Sequence, residues 1–195
     1  MAAPSAELWL LRHGATEWAR NGRHTGRTDL PLLAEGEDEA RALAPALSGV
    51  LFDAVLVSPL QRARRTAELA GLSAAAVLCD DLLEWDYGAY EGITTAQIRS
   101  ARPDWNLWRD GCPAGEVAAQ VQQRCETVIA RALAVAAPPR VALVAHGHLL
   151  RALAGTWLGL GATGGALLTL STATISVLGF EREQRVILRW NSPVA

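Results

Sequence analysis

Two short apolar runs end alike. Residues 7–12 close on Arg12-His13-Gly14, and residues 141–145 close on His146-Gly147-His148. In each, a histidine stands where the run stops and a glycine follows. Glycine permits a sharp turn and close approach of backbone to a ligand. One such histidine would read as a hydrogen-bonded structural residue. Two at equivalent places, one beside an arginine, point to chemistry, since a neutral imidazole can act as nucleophile or proton carrier near neutral pH. A third feature is Ser58-Pro59-Leu60-Gln61-Arg62-Ala63-Arg64-Arg65-Thr66. It reads as a strand end followed by a helix with proline in its first turn, whose N-terminus and Arg62 would suit an anion. Arg64 and Arg65 lie further round and read as a solvated face.

Arginines converging with histidines at one mouth imply phosphate. A guanidinium fork matches phosphate oxygens and keeps its charge at any working pH. Zinc would favour histidines with carboxylate partners and no nearby cations, so the His146-x-His148 spacing is not expected to hold a metal. Phosphoryl transfer without metal needs arginines to neutralise the oxygens, a nucleophile in line, and an acid for the leaving oxygen. The acidic candidates are Glu84, Asp86 and Glu91, in a tryptophan- and tyrosine-rich stretch where burial would favour a protonated carboxyl. Spacing alone does not choose among the three.

Composition narrows the alternatives. The 18 basic side chains are all arginine. Without lysine there is no Walker-A phosphate loop, Schiff base or lysine general base. Net charge is −2, which offers no basic excess for a nucleic-acid backbone. Three cysteines without C-x-x-C spacing argue against a disulfide framework and fit a reducing cytoplasm. No signal-peptide pattern is visible at the start. Residues 152–180 carry no charge, but their glycines, serines and threonines break them into a helix, a loop and a strand rather than a membrane span. The 195 residues are about one domain's worth, with residues 80–115 read as an insertion or lid over one sheet edge.

The elements that must position these groups alternate. Strands are expected at 7–12, 53–58, 75–79 and 141–145, helices at 34–48, from Pro59, at 116–136 and from Leu149, and a closing hairpin at 172–178 and 185–190. Alternation implies an α/β, three-layer αβα sandwich with a mostly parallel sheet, covered by helices on both faces. Ligands then bind outside the carboxyl ends of the strands, where the strand order reverses.

Five blocks now stand in order: Leu11-Arg12-His13-Gly14, Ser58-Pro59-Leu60-Gln61-Arg62-Ala63, Glu84-x-x-Tyr87-Gly88, Glu91-Gly92 and Ala145-His146-Gly147. Together, from residue 10 to about residue 178, they resemble the histidine phosphatase superfamily, which includes cofactor-dependent phosphoglycerate mutase. The resemblance implies a phosphoglycerate mutase-like fold, transient phosphorylation of His13, a phosphate pocket completed by Arg12, Arg62 and His146, and Glu84 as proton donor. It also implies substrate contacts at Thr25, Gly26 and Tyr87, with the Gly147 backbone facing the ligand. His24 and His148 are candidate substrate contacts, with a structural role as the alternative.

The departures bear on which reaction is run. Mutases usually carry Trp-Asn where this chain has Trp18-Ala19, and their substrate lysine has no counterpart here. The blocks Gly22-Arg23-His24-Thr25-Gly26, Glu84-Trp85-Asp86-Tyr87-Gly88, Trp105-x-x-Trp108-x-x-Gly111-Cys112-Pro113 and Ala114-Gly115-Glu116 look like a subgroup of broad-specificity acid phosphatases, and like sugar-bisphosphate phosphatases acting on sedoheptulose bisphosphate. The implied activity is hydrolysis of small phosphorylated metabolites, with no cofactor, no metal, and no nucleic-acid or membrane partner. A phosphoglycerate mutase is the rival enzyme and a catalytically silent phosphate-binding module the rival of another class. Trp105 and Trp108 read as packing, and the many tryptophans are compatible with a homodimer.

Overall fold

The computed structural model describes residues 6–194. The first strand, β1 (Glu7–Arg12), is followed by α1 (Glu17–Asn21) and α2 (Ala34–Leu47), then β2 (Ala54–Val57), α3 (Gln61–Leu69) and β3 (Ala76–Leu78). Next come α4 (Thr95–Ala101), α5 (Leu107–Asp110), α6 (Ala118–Leu133), β4 (Arg140–Ala145) and α7 (Gly147–Trp157), and the hairpin β5 (Ile175–Glu181) and β6 (Gln184–Ser192) closes the chain.

One six-stranded sheet runs β3-β2-β4-β1-β5-β6. Its first four strands are parallel, and β5 and β6 are antiparallel additions. Side chains alternate across it with period two. Leu8, Leu10, Val141, Leu143 and Ala145 face one core, built with Val121, Val128, Leu149, Leu150 and Leu153 of α6 and α7. Leu11, Ala142 and Val144 face the other, with Leu43 and Leu47 of α2 and Ala63 and Ala67 of α3. Both faces are therefore covered, as expected of an α/β sandwich. Residues 80–115, expected over a sheet edge, put Leu82, Trp85, Tyr87, Ile98, Trp105, Leu107, Trp108 and Cys112 into the first of these cores.

Neighbouring strands β1 and β4 send their chains to opposite faces. The helix α2 follows β1 on one side and α7 follows β4 on the other. The crevice this opens at the strands' carboxyl ends is the switch point of such sheets. The register pairs Arg12 with Ala145, so His13 and His146 stand side by side one step beyond.

Among the boundaries that differ from the sequence expectation, three show the local cause. Leu60 is extended and Pro59 lies before the helix, so α3 opens at Gln61 rather than on the proline. The helix α6 starts at Ala118 because Glu116 is drawn away: its carboxylate accepts from Arg124 and from the Asp86 amide. The strand β5 starts at Ile175 because Ala173 turns through a positive φ of 45° and its amide bonds the carbonyls of Arg12 and His13. Among the described residues, no helix is long and apolar enough to cross a membrane.

Candidate active site

At the end of β1 the backbone fixes His13 first. Its amide donates to Ala145 O at 3.0 Å, and its ring Nδ1 lies 2.7 Å from Gly14 O. A carbonyl can only accept, so Nδ1 carries the proton and Nε2 keeps its lone pair. Burial, then Arg62 and Arg12, hold this imidazole well below its ordinary range, against the opposing pull of Gly14 O. His13 is thus a buried, neutral imidazole with a basic nitrogen.

His146 lies beside it, with ring centroids 5.2 Å apart, and is wholly buried. Its Nδ1 accepts from Arg62 Nε at 3.1 Å and its Nε2 faces Ser58 Oγ at 2.7 Å. Burial, then Arg62, His13 and Arg12, keep it well below the usual imidazole range too.

Arg62 joins these groups, though not in the way the helix-terminus reading expects. Of its five N–H donors, Nε meets His146, Nη1 meets Thr28 O at 2.9 Å, and Nη2 meets Thr25 O and Gly26 O at 3.1 and 3.0 Å. One donor is left over. The N-terminus of α3 already holds an anion of the protein's own, since the Gln61 amide donates to Asp29 Oδ1 at 2.8 Å. Arg12 is different. Its Nη1 donates to Leu170 O, while its buried Nε has no partner, alone in this among the buried side-chain nitrogens and oxygens of the described residues. A buried donor without an acceptor is unfavourable by about 1–3 kcal/mol and marks where a ligand oxygen belongs.

The three carboxylates part company here. Glu91 accepts the amides of Gly26 and Thr28 at 2.8 and 3.1 Å and so shapes the loop whose carbonyls hold Arg62. Asp86 accepts from the Gly88 amide and lies 3.6 Å from Arg27. Only Glu84 reaches the cavity. Its Oε1 accepts the amides of Trp85 and Leu149 at 2.9 and 2.8 Å, and its Oε2 accepts the His148 amide at 3.0 Å. The buried carboxyl is therefore met by backbone amides at the start of α7, where aromatic surroundings were expected.

These groups surround a cavity of about 230 Å³. Arg12, His13, His24, Thr25, Glu84, Tyr87, Gly147 and His148 line it, whereas Arg62, His146 and Gly26 lie behind it. The two motif glycines serve different ends. A Cβ on Gly14 would strike Gly36 O of α2 at 2.1 Å, so Gly14 serves helix packing rather than ligand approach. A Cβ on Gly147 would lie 3.3 Å from the Arg12 guanidinium. Tyr87 OH and His148 Nδ1 are 2.5 Å apart. His24, whose ring lies tilted against Tyr87 with centroids 4.6 Å apart, has its pKa lowered to about 4 by burial.

Sequence reasoning missed Thr95, Leu170 and Arg151 in the cavity wall. Arg151 bonds Gly165 O at 3.1 Å and lies 4.8 Å from the centre of the Trp108 ring. Its signal was present: it stands three residues after His148, on the same face of one helix. Trp105 and Trp108 are buried in the core, which agrees with their reading as packing. Among the described residues, no three His, Cys, Asp or Glu side chains cluster in a way that could hold a metal ion.

Comparison with known proteins accounts for this arrangement. Residues 8–193 match the model of the histidine phosphatase superfamily (branch 1). An acid phosphatase of Mycobacterium tuberculosis is 42% identical over 187 residues, covering 95% of this chain and 92% of its own. Sedoheptulose 1,7-bisphosphatase of Saccharomyces cerevisiae is 35% identical over 182 residues, covering 78% of this chain and 67% of its own. The solved structure of the open reading frame Rv3214 product from Mycobacterium tuberculosis superposes with a TM-score of 0.93 at 40% identity, over 97% of this chain and 99% of that one. The chain belongs to the histidine phosphatase superfamily, branch 1, and is a phosphatase, a phosphoric monoester hydrolase.

Proposed function

We propose that this phosphatase hydrolyses small phosphomonoesters through a phosphohistidine on His13, with Glu84 moving the protons and no metal taking part. The observation that carries the reading is one small cavity lined both by His13, whose Nε2 keeps its lone pair, and by Arg12, whose Nε has no partner. The substrate phosphate lies against Arg12, and the Arg62 guanidinium behind the cavity adds positive charge that helps to neutralise its oxygens. Nε2 attacks phosphorus in line, an N–P bond forms, and the P–O bond to the alcohol breaks. The departing oxygen takes its proton from Glu84. Water then attacks phosphorus and gives its proton to Glu84, the N–P bond breaks, and its electron pair returns to Nε2. Alcohol and phosphate leave, and the enzyme is restored. His146, whose two ring nitrogens meet Arg62 and Ser58, acts from behind the cavity by orienting the Arg62 guanidinium.

The cavity favours small phosphorylated metabolites, being below the roughly 300–1,000 Å³ of drug-sized sites. Water as acceptor is supported by the likeness to an acid phosphatase and by Ala19, which lines the cavity and offers no side-chain amide to a second phosphate. Rapid quench with ³²P-labelled substrate tests the reading. An acid-labile phosphoenzyme should appear and decay to inorganic phosphate. A coupled assay with phosphoglycerate should find transfer between its positions negligible. Turnover without any phosphoenzyme, or turnover that survives loss of His13, would overturn it.

A further inference from the structure

His148 makes two contacts of different kind with one short loop. Its backbone amide donates to Glu84 Oε2 at 3.0 Å, while its ring meets the hydroxyl of Tyr87, three residues after Glu84, at 2.5 Å. The two oxygens of Glu84 are unequally held. Oε1 has two amide donors and Oε2 has the His148 amide alone, so Oε2 is the oxygen with room for a proton or a substrate oxygen. The Tyr87 ring is buried and lies against His24, and its hydroxyl has the His148 ring as its hydrogen-bond partner.

We propose that Tyr87 and His148 form a positioning clamp that ties the 84–87 loop to the first turn of α7 and so holds Glu84 Oε2 toward the leaving oxygen. The proposal rests on the reading of Glu84 as proton donor. The clamp acts on orientation and transfers no proton of its own. Removing it leaves the loop attached, because Trp85 Nε1 still donates to Glu116 O at 2.9 Å and the Asp86 amide to Glu116 Oε2 at 2.8 Å. The loss should therefore appear in proton donation before it appears in folding.

Leaving-group dependence tests this. The quantity kcat/KM covers binding and expulsion of the alcohol, and an alkoxide needs a proton where p-nitrophenolate does not. In Y87F, kcat/KM for glycerol 2-phosphate should fall about tenfold more than for p-nitrophenyl phosphate. H148A, which keeps the backbone amide, should show the same selective loss, and the double variant should lose no more than either single one. Equal loss on both substrates, or additive losses in the double variant, would overturn the clamp. E84Q is the reference. If it shows a steep leaving-group preference while Y87F and H148A do not, the clamp fails and Glu84 keeps its role. If E84Q shows none, the reading of Glu84 fails first.

Discussion

Arg62 Nε lies 3.1 Å from His146 Nδ1, and this contact decides where the proton sits on the imidazole. A guanidinium N–H can only donate, so Nδ1 must accept, and the neutral ring carries its proton on Nε2, facing Ser58 Oγ at 2.7 Å. The same guanidinium gathers the carbonyls of Thr25, Gly26 and Thr28, so one buried side chain orients the second histidine and closes the loop over the crevice.

Replacing that residue should damage stability and activity together. R62A leaves three carbonyls and a ring nitrogen without a donor, each unfavourable by about 1–3 kcal/mol when buried. Thermal or urea unfolding should show a loss of at least about 3 kcal/mol, with kcat/KM falling along with it. R62K should rescue little, because an ammonium cannot span acceptors on two sides of a planar fork. Near-native stability in either variant would contradict this account.

The proposed nucleophile, His13, has one side-chain hydrogen bond to lose, so its replacement bears more on chemistry than on folding. H13A should lose at least about 1,000-fold in kcat and form no acid-labile phosphoenzyme. Incubation with EDTA should leave wild-type turnover intact. Strong inhibition by the chelator, reversed by a divalent ion, would contradict the metal-free reading.

Gly147→Ala separates chemistry from stability. The added methyl group would lie 3.3 Å from Cζ and Nε of Arg12 and displace the guanidinium by a few tenths of an ångström. In the first turn of a helix, alanine is otherwise favoured over glycine by up to about 1 kcal/mol. Activity should drop about tenfold, chiefly through KM for phosphate esters, while Tm stays level or rises. A fall in Tm with KM unchanged would show that Gly147 serves packing instead.

Acid should unfold the protein before it protonates His13 in the folded state. His24 is lowered to about 4, and His13 and His146 well below 6.5, with burial the leading cause in each. Unfolding releases them to protonate near 6.5, so between their folded values and 6.5 the unfolded state binds more protons. Stability is then complete above pH 6.5 and declines as pH falls, by about 1.4 kcal/mol per pH unit for each such histidine. Urea midpoints measured from pH 8 to pH 5 should trace that decline. A flat profile would mean that these rings are solvated. Over the same range kcat/KM, corrected for substrate ionisation, should show no loss at pH 6.5, because His13 stays unprotonated.

Much of this was legible in the residues. The strand β1 spans Glu7–Arg12 as its apolar run implies, and α2 opens at Ala34 as its spacing implies. The uncharged stretch after Arg151 divides into the rest of α7, a 3-10 turn and most of β5. Element ends were less legible, because tertiary partners set them. Glu116 is pulled from α6 by Arg124, and Ala173 is held out of β5 by the carbonyls of Arg12 and His13. The reason for a residue could also be misread while its place was right. Gly14 answers to Gly36 on α2, and the N-terminus of α3 answers to Asp29.

By itself, then, the sequence determined the chemistry available: histidines at two strand ends, arginine as the sole basic side chain, and acidic candidates in one aromatic loop. Those are properties of residue type and local period, which a linear chain carries in full. Only the tertiary structure decided which carboxylate meets the cavity, which nitrogen of His13 and of His146 holds the proton, and which arginine has a buried nitrogen without a partner. These depend on partners distant along the chain, such as His146 against Arg62 or Glu84 against the amides of α7, and such contacts exist only once the parallel register has brought β1 and β4 side by side.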